Sequence, residues 1–132
     1  MSFVLGIDTS NYTTSCALLD TADMRVRSCK KLLPVKQGER GLRQSDAVFH
    51  HTKQLPELMK QLFDRRYDLS AVGYSYAPRC TEGSYMPCFL VGENVAQAVS
   101  LACGADLEKT SHQVCSEPRP VMAFPSLQNT IL

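Results

Sequence analysis

A chain of 132 residues has the length of one domain and can bury about two-thirds of its unfolded surface. With 44% hydrophobic residues, 20% charged residues and seven each of Gly and Pro, the composition is that of an ordinary globular chain and excludes a disordered one. A net charge of +1 excludes a global pull on nucleic acid.

The first predicted element is a β-hairpin from Phe3 to Leu19. Phe3, Val4, Leu5 and Ile7 are strand formers, Gly6 admits a close backbone, and Ser15 to Leu19 resumes the apolar pattern. The tip holds Asp8, Thr9, Ser10, Asn11, Tyr12, Thr13 and Thr14. A carboxylate at a strand end, followed by hydroxyls and free backbone N–H groups, suits a phosphate, with Asp8 placing a metal ion or water. An ordinary polar turn is the alternative for this stretch.

Asp20 to Asp23 reads as a turn, and Met24 to Leu33 as a third antiparallel strand with one wet face. Pro34 ends it, and Val35 to Gln44 is loop. Between positions 25 and 43, Arg25, Arg27, Lys30, Lys31, Lys36, Arg40 and Arg43 face only Glu39, so this segment carries +6 and the remainder −5. A polyanion can dock there, and a solvated strand and loop is the alternative.

Ser45 offers an N-cap and Asp46 a first-turn charge for a helix to about Asp64, with Val48, Thr52, Leu55, Met59 and Leu62 on the expected core face. Pro56 should kink it unless two helices abut there. Adjacent His50 and His51 must point to different faces, one packed and one wet. Leu69 to Tyr76 is a fourth strand, reached by a crossover and therefore parallel. Ala77 to Pro87 is loop, and Phe89 to Cys103 is a second helix with Leu90, Val91, Val95, Ala98, Val99 and Ala102 as its apolar face. Gly104 stops it, and Ala105 to Ser111 is an edge strand. Apolar area is expected to remain exposed along Gly92 to Cys103 and after Val114.

Cys16, Cys29, Cys80, Cys88, Cys103 and Cys115 show no CxxC pair, which indicates neither a zinc ribbon nor a disulfide scaffold. The N-terminal apolar run breaks at Asp8 without a basic region before it, unlike a signal peptide or membrane span. A cytoplasmic chain with reduced thiols and no membrane partner is expected.

GIDTSNYTTS, positions 6 to 15, resembles the first phosphate-loop hairpin of the actin, sugar kinase and heat-shock ATPase superfamily. More narrowly, it is similar to the GIETSCDDTS opening of the tRNA threonylcarbamoyladenosine-forming family, once labelled O-sialoglycoprotein endopeptidases or glycoproteases. Gly6, Ile7, Thr9, Ser10, Thr14 and Ser15 match, Asp8 replaces a Glu, and Asn11, Tyr12 and Thr13 depart from Cys-Asp-Asp. Loss of two acids suggests a divergent branch. The family's HLENLLP resembles His51 to Pro56, its GPGLVGSLLVG resembles Ala77-Pro78-Arg79 and Gly83 to Gly92, and its NHLEGH metal motif is approached by Ser111-His112-Gln113.

The resemblance implies an α/β, ribonuclease H-like half-domain, with a mixed sheet in the order βββαβαβ, over positions 1–113. Positions 114–132 are then expected to be an irregular or aberrant tail, with the second lobe missing through truncation or frameshift or because the chain is a fragment. Relatives transfer threonylcarbamoyl from its adenylate to a tRNA adenosine. That assigns the catalytic role to Asp8, the nucleotide phosphate to Thr9, Ser10, Asn11, Thr13 and Thr14, and an incomplete metal site to His112. Ser116 stands where the second histidine should be. Iron or zinc and an adenylate nucleotide belong to full-length relatives, neither being expected to bind this chain stoichiometrically, and the chain alone is expected to be inactive. A homodimer or a heteromer with a related lobe is implied. A non-catalytic partner lobe and a superfamily phosphotransferase are the alternatives.

Overall fold

The computed structural model describes residues 2–10, 12–34, 43–78 and 86–111. Its elements are β1 (Phe3–Thr9), β2 (Thr13–Asp20), β3 (Val26–Leu32), α1 (Gln44–Leu62), β4 (Leu69–Ala77), α2 (Phe89–Cys103) and β5 (Asp106–Ser111). They form one five-stranded sheet in the order β3-β2-β1-β4-β5.

β1 lies at the centre because it is apolar on both faces; all seven of its residues are buried. Leu5 sits between Leu18 of antiparallel β2 and Val72 of parallel β4. β5 extends the sheet parallel to β4, and β3 extends it antiparallel to β2. Both helices cover one face, α1 over β2 and β3, α2 over β4 and β1. The core between them gathers Phe3, Leu5, Ile7, Cys16, Leu18, Leu55, Leu58, Leu62, Val72 and Ala96. Burying a Leu or Ile as fully as Leu5, Ile7 and Leu55 stabilises by about 1.5–3 kcal/mol each. The other face carries a smaller cluster of Val4, Ala17, Leu19 and Ala71.

The turn before β3 is built by carboxylates: Asp20 accepts the Ala22 amide at 2.9 Å, and Asp23 accepts the Arg25 amide at 3.0 Å. β3 itself is an edge strand in which only Val26 and Cys29 turn partly inward, while Arg27, Lys30 and Lys31 stay exposed. Lysines on an edge oppose pairing with a further strand. Arg27 reaches back to Asp64 at 3.5 Å and to the Tyr67 hydroxyl at 2.6 Å. Of the basic segment, Lys36 and Arg40 lie outside the described residues.

α1 differs from expectation in its buried face. Ala47, His51, Gln54, Leu55, Leu58 and Leu62 point inward, whereas Thr52 is exposed and Val48 and Met59 only half-buried. The stripe is rotated because two polar residues, His51 and Gln54, have hydrogen-bond partners in the hairpin, so hydrophobic periodicity misjudges it. Arg43 is the N-cap residue without a side-chain cap bond, and the helix runs unbroken through exposed Pro56. α2 keeps its expected bounds but buries Phe89, Gly92, Ala96 and Ser100; Leu90, Ala98 and Ala102 are exposed. Val95 and Val99 pack against the core, so the large exposed apolar residues of α2 are Leu90 and Leu101. Gly104 ends it in the left-handed conformation, φ 67° and ψ 27°, which a residue without Cβ adopts freely. Among the described residues no helix is long and apolar enough to cross a membrane.

Candidate functional site at the hairpin tip

The carboxyl end of β1 meets four other elements, and the tip of the hairpin is fixed at that junction. Parallel pairing sets Ile7 beside Tyr74, which brings the next residues, Asp8 and Ser75, together. The Ser75 hydroxyl donates to Asp8 Oδ1 at 2.5 Å, and Asp8 is only 1% exposed. A buried carboxylate must be hydrogen-bonded to be tolerated, and Ser75 supplies part of that requirement.

Thr9 turns to the helix face. Its hydroxyl donates to the Cys88 carbonyl at 2.9 Å and accepts the Gly92 amide at 3.1 Å, thereby joining both partners of the first i to i+4 pair of α2. The start of α2 has no side-chain cap of its own, so a strand residue performs part of that task. On the opposite side, the Gln44 side-chain oxygen accepts the Cys88 amide at 3.0 Å. Burial pushes the Cys88 thiol up to about 11.

Thr14 is bound to α1. Its Oγ1 lies 2.7 Å from His51 Nδ1 and 3.0 Å from Gln54 Oε1, and His51 Nε2 lies 2.5 Å from the Ser10 carbonyl. Gln54 Nε2 donates onward to the Leu32 carbonyl at 3.3 Å. Both ends of the tip are therefore tied to one helical turn. Burial holds the His51 imidazole below its ordinary value; the Ser10 carbonyl and the Asp8 carboxylate act the other way, and His50 acts with burial. His51 is the packed member of the histidine pair and His50 the half-exposed one, as expected.

The structure thus brings Asp8, Thr9, Ser10, Thr13 and Thr14 to one place. Asp8, Thr9 and Thr14 are enclosed, with side chains bonded inside the lobe, while Ser10 and Thr13 are partly accessible and Tyr12 is exposed. The Ser10 hydroxyl donates to the Thr13 carbonyl at 3.3 Å. Asn11 and His112 lie outside the described residues, as do Gly83, Ser84 and positions 112–132. Among the described residues no group of three metal-ligating side chains occurs. Hairpin chemistry alone did not single out Ser75, His51, Gln54 or Gly92. His51, Gln54 and Gly92 lie in stretches that match family motifs, and Ser75 carries no local signal.

No family model and no curated relative matches the chain. Two solved structures, YeaZ from Pseudomonas aeruginosa and a protein with similarity to peptidase YeaZ from the same organism, each superpose with a TM-score of 0.59 at 21% identity over 84% of this chain. The fold is α/β and ribonuclease H-like, with a five-stranded mixed sheet and two helices. The chain spans 44% of the length of each of these YeaZ structures. An Aquifex aeolicus Ppx/GppA phosphatase superposes more weakly, with a TM-score of 0.42 at 15% identity over 84% of this chain and 36% of that one.

Proposed function

We propose that the chain acts as a non-catalytic partner lobe in a tRNA-modifying assembly of the threonylcarbamoyladenosine-forming kind. The enclosure of Asp8, Thr9 and Thr14 carries this reading. The residues to which the motif resemblance assigns catalysis and phosphate binding hold β1, β2, β4, α1 and α2 together. The likeness to YeaZ fits a partner lobe better than a transferase. Threonylcarbamoyl transfer by this chain is the less supported reading, since Asp8 is only 1% exposed and would have to be uncovered to meet a substrate.

The accessible part of the tip keeps a binding role in the proposal. Ser10 and Thr13, with Asn11, would receive an adenylate phosphate through hydroxyl and backbone donors. The lobe itself would span positions 1–113. No metal is assigned to it: His112 alone cannot supply three or four ligands, and elemental analysis finding one zinc or iron per chain would overturn that.

The partner surface in this reading is the groove of about 500 Å³ between α1 and α2, lined by Val48, Leu55, Pro56, Leu90, Val91 and Val95. Leu90 is 52% exposed at its edge, and relatives in the resembled family pair through helices of this lobe. Sedimentation velocity of the chain, alone and mixed with a full-length transferase of that family, tests it. A dimer or heteromer at micromolar concentration that Leu90→Glu abolishes is expected. A monomer in both samples would refute the partner reading.

A further inference from the structure

We propose that His51 is a proton-linked positioning residue for the hairpin tip, so that an anion bound at Ser10 and Thr13 is taken up together with a proton on His51. The inference rests on the reading of the tip as a phosphate site, and a count of donors and acceptors carries it.

The Ser10 carbonyl only accepts, so His51 Nε2, 2.5 Å away, carries a proton whether the ring is charged or neutral. The Leu32 carbonyl also only accepts, which turns Gln54 Nε2 toward it and leaves Gln54 Oε1 facing Thr14. Thr14 has a single hydroxyl proton. Given to Gln54 Oε1, it leaves a lone pair of Thr14 Oγ1 against His51 Nδ1 at 2.7 Å, and that nitrogen must then donate as well. All four bonds are made together only by the imidazolium. In the neutral ring Nδ1 is an acceptor, and one bond is lost. Either Thr14 abandons Gln54 for the ring, or the Gln54 amide turns over and abandons Leu32.

In the empty site burial is the largest influence and weighs against the charged ring. Asp8 on β1 favours the cation, while His50 on α1 and burial oppose it. Lys31 on β3, opposite Thr14 in the strand register, is an exposed cation. A phosphate at Ser10 and Thr13 adds negative charge beside the ring and favours the protonated, fully bonded network. By linkage, proton uptake on binding means affinity rises as pH falls, by up to about tenfold per pH unit between the free and bound pKa values. The tip would thus be loosely held when empty and fixed when occupied.

The probe is adenosine 5′-methylphosphate, a phosphodiester whose charge is constant between about pH 5.5 and 8, titrated calorimetrically into the full chain in buffers of different ionisation enthalpy. Uptake of a fraction of one proton is expected, with affinity increasing toward acid. His51→Gln, which keeps a donor for Ser10, should bind the probe without proton uptake and with a flat pH profile. A ligand-free measurement follows the His51 ring by NMR. Thr14→Val, by removing the acceptor for Nδ1, should lower the ring's pKa, and an unchanged value would overturn the donor count. Binding without proton uptake, or with uptake that survives in His51→Gln, would overturn the linkage and leave the phosphate reading intact. No binding at any pH would overturn the phosphate reading and the linkage together, even if the Thr14→Val shift is present.

Discussion

Gly92 and Thr9 are in direct contact across the junction of α2 and β1. The Gly92 amide donates to Thr9 Oγ1 at 3.1 Å, and a Cβ on Gly92 would lie 3.0 Å from that same oxygen and 3.2 Å from Ile7 Cγ2. Helix and strand can approach this closely only because position 92 has no side chain.

Gly92→Ala weighs two opposed effects at that contact. Replacing a helical glycine by alanine stabilises by about 0.5–1 kcal/mol through propensity, whereas forcing a methyl into a packed core costs about 1–3 kcal/mol. Thr9 is held by two hydrogen bonds and cannot swing aside freely, so the packing effect should win. Urea unfolding should show a net loss of about 1–2 kcal/mol. An alanine variant as stable as the parent would mean that the junction yields.

Thr9→Val keeps the shape and removes the hydroxyl. The Cys88 carbonyl and the Gly92 amide then lose their shared partner, and a loss of about 1–3 kcal/mol is expected. Thr9→Ser, retaining the oxygen, should lose less than the valine variant. Amide hydrogen exchange at the start of α2 should quicken in the first and stay near the parent rate in the second; equal exchange in both would remove Thr9 from the account of that helix start.

The pH dependence of stability should carry a signature of His51. Its folded pKa lies below its ordinary value of 6.5, so between the two the unfolded chain binds the extra proton and the folded one does not. Stability is therefore at its full value above about 6.5 and falls as pH drops through the folded pKa. Denaturant midpoints measured across that window should decline toward acid in the parent and less so in His51→Gln. A parent midpoint constant down to the carboxylate range would contradict a depressed imidazole.

Thiol reactivity should separate the described cysteines. Burial, with a smaller contribution from Cys29, pushes Cys16 up to about 12, and Cys88 is also buried; Cys103 is exposed. Because the thiolate is the nucleophile, brief alkylation of the native protein should modify Cys103 and spare Cys16 and Cys88 until denaturant is added. Peptide mapping by mass spectrometry reads the outcome, and early loss of Cys16 would indicate that β2 opens readily.

The elements most legible in the sequence were those with local causes. The Phe3–Leu19 hairpin follows from two apolar runs around a polar turn, and α2 is bounded as expected because Gly104 supplies its left-handed stop. The inward face of α1 was not legible, since His51 and Gln54 are buried for their bonds to Ser10, Thr14 and Leu32, which lie 22 to 41 positions away. Ser75 was hidden for the same reason, becoming a partner of Asp8 only through the parallel register of β1 and β4. At the tip, residue type pointed to a cluster of hydroxyls. It could not reveal that Thr9 and Thr14 turn inward, because either orientation satisfies the same local pattern.

The central position of β1 has a consequence for how the chain acquires its structure during synthesis. β1 leaves the ribosome before the other strands described, and its antiparallel neighbour follows after a short turn, so a β1–β2–β3 meander can assemble early from local contacts. The other flank of β1 must wait for β4: Asp8 and Ser75 are 67 positions apart. Until that closure occurs, one edge of the most apolar strand is an open pairing template, vulnerable to chaperone capture or to a second nascent chain. A slow step in refolding should therefore respond to substitutions in the β1–β4 seam, such as Val72→Ala, more than to those on the edge strand β3.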